Sequence, residues 1–285
     1  MILVVGATGN IGSEVVRLLQ AKGVATRVMV RDKAKVASMF GDGVEVVTGD
    51  LREPDSLPAA LEGVDKAFLV TALALDQVAM RNAFIDAAAK TGVKHVVMSS
   101  GIGAAPDAAV QFGRWHGENQ ERLKQSGVDW TFVQPTFFMQ NFFMSAATIK
   151  DHGAFYLPLG ENSPVSWVDA RDIAAVATTA LTEPGHEGKA YPVTGPAAVT
   201  AEEIAEVMTA ELGKPVRYVA VSNDDAKAAM LDAGMPVVLA DAMIELYALA
   251  PPGYLGEVAD TLRELTSNPG RDIRMFVSDY KSAFS

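Results

Sequence analysis

The sequence contains no cysteine among its 285 residues. A chain without cysteine forms no disulfide, offers no thiolate to a metal ion and has no thiol nucleophile. Basic residues are also scarce: 24 Lys and Arg stand against 35 Asp and Glu, which gives a formal net charge of −11. Because such an acidic surface repels phosphate backbones, we expect no nucleic acid as a partner.

Long apolar runs are missing as well. The longest, from Ala67 to Leu75, is far shorter than the ~20 residues that a membrane helix needs. The first residues lack the basic leader of a signal peptide and run directly into an apolar segment that ends at Gly6. Hydrophobic residues nonetheless make up 49% of the chain, which is enough for a well-buried core. We expect a globular, cytoplasmic protein that does not bind a membrane.

The segment after the first predicted strand has the form of a nucleotide-binding turn. Met1 to Val5 is an unbroken apolar run, typical of a parallel strand covered on both faces. Glycines at the following turn let the backbone approach a pyrophosphate, and a helix N-terminus offers free N–H groups. The alternative is a structural turn without a ligand. We expect a dinucleotide site that includes Gly6, Thr8, Gly9, Asn10, Ile11 and Gly12.

The end of the second predicted strand, Ala25 to Val30, favours NADP over NAD. An acidic side chain at this point suits the ribose of NAD, and a basic one suits the 2′-phosphate of NADP. Arg31 comes first, and Lys35 lies one helical turn further on. A guanidinium binds phosphate in bidentate fashion, so we expect both residues to bind NADPH in preference to NADH. Asp32 leaves NAD as the alternative cofactor. The alternative for Arg31 and Lys35 is that they are ordinary solvated charges at a helix start.

Strands and helices alternate along the first half of the chain. Strands are predicted at about 44–48, 67–71, 93–99 and 130–134, and helices at about 54–61, 76–90 and 110–125. This pattern predicts an α/β fold, a Rossmann-type doubly wound parallel sheet with ligands at the carboxyl ends of its strands. We assign residues 1–150 to an NAD(P)-binding domain with a return segment at about 164–194, and residues 195–285 to a smaller substrate or lid lobe. Further cofactor-binding candidates are Asp50, Leu51, Thr71, Ala72, Ser99 and Pro135.

A cluster of aromatic and methionine residues spans positions 137–145. Phe138 and Phe142 are four residues apart and are expected to share a helix face. Core packing explains part of such a cluster, but adaptable apolar surface beyond a strand end also suits a flat aromatic ligand. The predicted substrate pocket consists of Gln134, Phe137, Phe138, Asn141, Phe142 and Trp167.

Several features of the later part have structural explanations. Asp169 and Asp172 fit the N-cap and first turn of a helix, and Thr200 with Glu203 fits a capping box. Asp50 either bonds the adenine amino group or only forms a turn. The stretch from Met230 to Leu255 is low in charge and is either a lid over the site or an oligomer face.

Taken together, these motifs resemble the short-chain dehydrogenase/reductases, and more narrowly their NmrA-like atypical branch with its quinone reductases and flavin-free azoreductases. The narrower resemblance rests on the order and spacing of loose motifs, which are the Gly6–Gly12 turn, Gly49-Asp50-Leu51, Ser99-Ser100, His116-x-x-x-Gln120, Gln134-Pro135-x-x-Phe138-x-x-Asn141, Trp167-x-Asp169-x-Arg171-Asp172 and Thr194-Gly195-Pro196.

One departure from the wider family bears on the chemistry. Its members use a Tyr-x-x-x-Lys pair, and the equivalent residues here are Phe112 and His116. Phenylalanine donates no proton, so the resemblance implies either hydride transfer to an acceptor that needs little acid catalysis or cofactor sensing without turnover. His116 is the leading proton donor because its ordinary pKa lies near neutrality, although it alternatively holds the nicotinamide ribose. Asn141 and Tyr156 are further catalytic candidates.

The sequence therefore predicts an NADPH-dependent reductase of azo or quinone compounds, with a small aromatic substrate, no flavin and no metal. The alternatives are an NADP(H)-sensing regulatory protein without turnover, and an isomerase or reductase of a phenolic substrate. We expect a monomer or homodimer.

Overall fold

A seven-stranded parallel sheet forms the centre of the computed structural model, which describes residues 1–251 and 253–285. A separate pair of parallel strands lies in the later part of the chain. The strands are β1 (Ile2–Val5), β2 (Thr26–Val30), β3 (Glu45–Thr48), β4 (Lys66–Leu69), β5 (His95–Ser99), β6 (Asp129–Pro135), β7 (Ala154–Leu157), β8 (Lys189–Val193) and β9 (Arg217–Ala220). The large sheet has the order β3-β2-β1-β4-β5-β6-β8, and β7 pairs with β9.

Helices connect the strands and make up most of the last third. They are α1 (Asn10–Ala21), α2 (Ala34–Phe40), α3 (Leu57–Leu61), α4 (Gln77–Thr91), α5 (Gln111–Lys124), α6 (Ala146–His152), α7 (Ala170–Thr182), α8 (Ala201–Leu212), α9 (Asn223–Asp232), α10 (Val237–Tyr247), α11 (Thr261–Thr266), α12 (Ile273–Asp279) and α13 (Lys281–Phe284). Two 3₁₀ helices span Pro54–Ser56 and Met139–Ser145.

Apolar layers on both faces explain why the central strands consist mainly of apolar residues. Val15 and Leu19 of α1 pack with Ile173 of α7 on one face of the sheet. Phe84 of α4 and Leu61 of α3 pack on the other face. The predicted doubly wound parallel sheet is confirmed. The division near residue 150 and the substrate-binding role of the later lobe stay predictions.

The strand and helix limits differ from the predicted ones by a few residues. The predicted helix at 54–61 is divided, because a 3₁₀ turn over Pro54–Ser56 precedes α3. The segment after β6 is a 3₁₀ helix, and Phe138 precedes it in extended conformation, with φ −87° and ψ 136°. The expectation that Phe138 and Phe142 share a helix face is therefore wrong.

Both predicted caps are confirmed. The Asp169 side chain accepts a hydrogen bond from the Arg171 backbone N–H at the start of α7. Thr200 and Glu203 form the reciprocal bonds of a capping box at the start of α8. Asp172, in the first turn of α7, accepts a bond from the backbone N–H of Arg271 at 2.7 Å.

An aromatic core joins the segment after β6 to the last helices. Its fully or almost fully buried members include Phe142, Phe155, Trp167, Phe276 and Phe284. The stretch from Met230 to Leu255 contributes to the same core, since Tyr247 of α10 stacks on Phe137 with ring centroids 5.3 Å apart. Within that stretch Pro252 lies outside the described residues.

Candidate functional site

The turn between β1 and α1 is shaped by two glycines. Gly6 has a φ of +78°, in the left-handed region that favours glycine. A Cβ at Gly12 would lie 2.1 Å from the carbonyl oxygen of Gly6, so only glycine fits at this start of α1. The first-turn N–H groups of a helix have no partner within the helix and carry the positive end of its dipole. The turn thus presents backbone donors to a negatively charged group.

A cleft of about 770 Å³ opens in front of this turn, at the carboxyl edge of the sheet. The loops that follow β1, β2, β3 and β4 supply most of its wall, as expected for ligand sites in doubly wound sheets. The lining residues are Val5, Gly6, Ala7, Thr8, Gly9, Asn10, Ile11, Gly12, Met29, Val30, Arg31, Asp32, Lys35, Gly49, Asp50, Leu51, Arg52, Val70, Thr71, Ala72, Leu73, Ala74, Met80, Phe138 and Asn141.

The loop after β2 carries two basic side chains at the cleft. Arg31 and Lys35 are both exposed and both line it. The carboxylate of Asp32, between them, accepts a hydrogen bond from the backbone N–H of Ala34 at 2.9 Å. Asp32 is therefore already used in forming the turn that starts α2, whereas Arg31 and Lys35 present their charge to the cleft.

The loop after β3 has a turn of similar kind. Asp50 Oδ1 accepts a hydrogen bond from the backbone N–H of Arg52 at 2.9 Å, so this carboxylate forms a turn while also lining the cleft. The Arg52 guanidinium donates to both carboxylate oxygens of Asp76, at 2.6 and 3.0 Å. These bonds hold the pKa of Asp76 below its usual value, so the pair stays ionised at neutral pH.

The aromatic segment is divided between the cleft and the core. Phe138 and Asn141 line the cleft. Phe137, Phe142 and Trp167 lie behind them in the aromatic core, with the Phe142 and Trp167 ring centroids 4.9 Å apart. The structure thus brings two of the six predicted pocket residues to the cleft surface and places these three in the layer that supports it.

His116 lies on α5 and is not part of the cleft lining. Its Nδ1 is 2.8 Å from Nη1 of Arg81, and its side chain is partly exposed. Burial and the Arg81 charge hold the pKa of His116 well below its usual value. The neutral ring is therefore the main form at neutral pH, and the role of His116 as proton donor stays a prediction.

Sequence reasoning did not identify Arg81. This residue lies on α4 and is 3% exposed, and its Nε donates to Thr71 Oγ1 at 2.9 Å. A signal was present, because Arg81 shares a helix face with the buried residues Phe84, Ile85 and Ala88. An arginine on a buried helix face marks a side chain with a specific polar partner.

The other predicted site residues lie outside the cleft lining. Ser99 and Pro135 are buried at the carboxyl ends of β5 and β6, and Gln134 is partly buried in β6. Tyr156, on β7 of the two-stranded sheet, is 43% exposed. Any contact of these residues with a ligand stays a prediction.

The residues of the cleft fit an NADP-type dinucleotide. The cradle at Gly6 and Gly12 has no room for side chains, so the backbone is free to approach a pyrophosphate. Arg31 and Lys35 line the same cleft and would offer positive charge to a ribose phosphate. Among the described residues no group of three or more His, Asp or Glu is arranged to hold a metal ion.

A model of the NmrA-like family matches residues 1–263 of the chain. The chain belongs to the NmrA-like family. This confirms the family resemblance derived from the motif order.

Three relatives of this NmrA-like chain align with it over 98% or more of its length. The NAD(P)H azoreductase of Xenophilus azovorans is 59% identical over 284 residues, which cover 100% of this chain and 99% of the azoreductase. The NADPH-dependent quinone oxidoreductase QOR2 of Escherichia coli, solved in complex with NADPH, has a TM-score of 0.87 at 29% identity and covers 98% of this chain and 99% of its own. The triphenylmethane reductase of Citrobacter sp., solved with NADP(H), has a TM-score of 0.86 at 26% identity and the same coverage, 98% and 99%.

Two further observations concern this NmrA-like chain as a whole. Phe112, at the position of the tyrosine used by the wider family, is 8% exposed and makes an edge contact with Trp115 at 5.4 Å. No helix in the described part of the chain is long and apolar enough to cross a bilayer.

Proposed function

We propose that this chain is an NADPH-dependent, flavin-free oxidoreductase that reduces a planar aromatic acceptor of the azo or quinone class. The observation that carries the proposal is the single cleft, which runs from the Gly6–Gly12 turn to Phe138 and Asn141. One end has the donors for a dinucleotide, and the other has an aromatic face for an acceptor. The 59% identity to an NAD(P)H azoreductase over the whole chain supports this assignment.

The glycine turn and the start of α1 would hold the pyrophosphate of NADPH through backbone N–H groups. Arg31 and Lys35 would hold the 2′-phosphate, which distinguishes NADPH from NADH. When bound, the reduced nicotinamide supplies a hydride. The protein's own contribution is to place the acceptor within hydride reach.

The acceptor side of the cleft consists of apolar residues with one amide. Phe138 offers a ring on which a flat acceptor stacks, and Asn141 offers an amide to orient it. Phe138 packs against the core between the sheet and helices α1 and α7, while its neighbour Phe137 belongs to the aromatic core. We propose no flavin and no metal for the reaction, and we propose that the proton comes from water.

A panel assay tests this function. Purified protein and NADPH, with no added flavin, are mixed with azo dyes and quinones while the absorbance of NADPH is followed. We expect consumption of NADPH with at least one class, and a raised KM for the acceptor in Phe138→Ala. Met144→Ala is the matched control, because Met144 lies in the same 3₁₀ segment but is 81% exposed. Tight binding of NADPH without turnover across the panel would contradict the proposal.

We further propose that the protein acts in the cytoplasm as a monomer or homodimer. The molar mass in solution, measured by light scattering with and without NADPH, tests the proposed oligomeric state. A larger assembly in both conditions would contradict it.

A further inference from the structure

Arg81 carries a buried positive charge that has no carboxylate partner among the described residues. Its two hydrogen bonds go to neutral groups, from Nε to Thr71 Oγ1 at 2.9 Å and from Nη1 to His116 Nδ1 at 2.8 Å. Burial lowers the pKa of Arg81 to about 10, so the guanidinium is still charged at neutral pH. A buried charge without a counter-ion costs stability. Such a residue needs an explanation other than packing.

The contact with Arg81 decides which nitrogen of His116 carries the proton. A guanidinium has donors and no acceptor, so Nδ1 of the ring accepts and holds no hydrogen. The single proton of the neutral ring is then on Nε2. A second proton, on Nδ1, would face the guanidinium directly. Arg81, from α4, is the charged group whose field acts on the ring.

The Nε2 edge of the His116 ring faces the loop after β5. A Cβ added at Gly101 would lie 3.4 Å from Cδ2 and 3.7 Å from Nε2 of His116. Because Gly101 has no side chain, no Cβ fills the space beside this edge of the ring. Gly101 follows β5 at the carboxyl edge of the sheet, where Thr71 follows the neighbouring strand β4 and lines the cleft. The N–H donor is therefore at the edge where ligands of such sheets bind.

We propose that Arg81 is a positioning residue that fixes His116 as a neutral ring, so that Nε2–H donates a hydrogen bond to the acceptor during its reduction. The proposal rests on the reductase function. A hydride added to one atom of an N=N or C=O bond leaves negative charge on the other end. A donor already aimed at that position stabilises this charge without reorganisation. His116 keeps its own proton, so the acceptor gains a hydride from NADPH and a proton from water, and NADP⁺ is the oxidised product.

Nitrogen NMR of the histidine rings tests the first half of the proposal without any turnover. His116 is assigned by comparison with His116→Gln, since the chain has 4 histidines. In the wild type we expect the Nε2–H form of His116 at every pH from 5 to 8. In Arg81→Met we expect the pKa of the ring to rise, because one of the two causes that lower it is removed, and in Arg81→Lys, which keeps a cationic donor, we expect the ring to remain neutral. Arg122→Met is the matched control, because Arg122 lies on α5 itself and pairs with exposed Asp86.

Kinetics test the second half. We expect Arg81→Met to lower kcat/KM by about 10- to 100-fold through misplacement of the donor, and to introduce a pH dependence between 5 and 8 that the wild type lacks. The Kd for NADPH should stay at its wild-type value. His116→Gln, which keeps an N–H donor, should retain more activity than His116→Phe.

Four results would overturn the proposal. They are a wild-type His116 that titrates near its ordinary pKa, a wild-type ring protonated on Nδ1, an Arg81→Met variant with unchanged ring state and pH profile, and a His116→Phe variant with full activity. Should Arg81→Met not fold, the wild-type spectra and the activity of His116→Phe, each of which can overturn the proposal by itself, give the decision. Absence of turnover across the acceptor panel would instead overturn the reductase function, and the spectra distinguish the two failures.

Discussion

Arg31 is the side chain on which the choice of nicotinamide cofactor depends in our proposal. It follows β2 directly, is exposed and lines the cleft together with Lys35. NADP and NAD differ only in the phosphate that these residues would contact. A residue that binds this phosphate changes the affinity for one cofactor and leaves the other unaffected. Selectivity can therefore be tested at one position.

Arg31→Ala should weaken NADPH binding by about 1.5–3 kcal/mol, the usual value of a hydrogen bond to a charged group. This corresponds to an increase in Kd of roughly 10- to 150-fold. The Kd for NADH should hardly change. Calorimetric titration with each cofactor measures both values.

Lys33→Ala is the control for this variant. Lys33 is an exposed cation of the same loop but is not among the residues of the cleft wall. Its removal changes the local charge equally, so it should leave NADPH affinity nearly intact. An equal loss of affinity for NADPH and NADH in Arg31→Ala would show that Arg31 does not bind the 2′-phosphate.

At the scale of an element, the start of α7 depends on one buried carboxylate. Asp169 is fully buried and accepts hydrogen bonds from the Arg171 side chain at 2.6 and 3.0 Å and from Gln140 at 3.0 Å. Burial opposes its charge, but the bonds from Arg171 outweigh this and hold the pKa of Asp169 below its usual value. The second partner of Arg171 is Asp279, whose side chain is 48% exposed.

Asp169→Asn should lower the free energy of unfolding by about 3–5 kcal/mol, because it leaves Arg171 without its buried counter-ion. Asp279→Asn removes the exposed partner of the same arginine and should cost less than about 1 kcal/mol. Urea denaturation of the three proteins measures the difference. Similar midpoints for both variants would contradict this account of the cap.

The stabilisation from Asp169 should also depend on pH. Its pKa is lower in the folded than in the unfolded chain, so the stabilisation is complete above the unfolded pKa of about 3.9. It is lost as the pH falls through the folded value. The difference in unfolding free energy between wild type and Asp169→Asn should therefore shrink as the pH is lowered from 6 towards 3.

Local patterns were sufficient to predict most elements. The apolar run before Gly6 and the Thr200 capping box each carry their signal within a few residues, and both occur as predicted. The segment at Met139–Ser145 carries no such local signal, because α and 3₁₀ helices share the same residue types and differ in pitch. Phe138 lies outside this helix in extended conformation and lines the cleft, whereas Phe142 lies within it and packs in the core.

At the scale of the whole molecule, the aromatic core ties the last helices to the segment behind the cleft. Phe143, in the 3₁₀ helix, stacks on Phe284 of α13 with ring centroids 5.8 Å apart. Phe284 is fully buried, and Phe276 of α12 is buried beside it. Stability of the wall that carries Phe138 should therefore depend on these distant helices.

Phe284→Ala should lower the free energy of unfolding by about 3–5 kcal/mol, as expected for a large buried aromatic side chain. Met275→Ala, in neighbouring α12, removes a side chain that is 49% exposed and should cost much less. Urea denaturation followed by circular dichroism measures both. A small effect of Phe284→Ala would show that α13 is not part of the cooperative core.

The candidate site was predictable only in part, for a similar reason. The glycine turn and the basic loop after β2 each carry their signal within a few residues of sequence, and both line the cleft. The contact between Arg81 and His116 joins residues 35 positions apart and exists only when α4 packs against α5. Neither helix contains a sequence pattern that identifies its partner, so this contact could be found only from the structure.

The hydrogen bond from Ala34 to Asp32 has a consequence for anyone who wishes to redesign the cofactor preference. The carboxylate that an NAD-specific variant would need is already present in the sequence, but it is committed to starting α2. Removing Arg31 alone should therefore weaken NADPH binding without strengthening NADH binding. An acidic residue introduced at position 31 itself, with Asp32 left in place, is the more direct way to change the cofactor preference from NADPH to NADH.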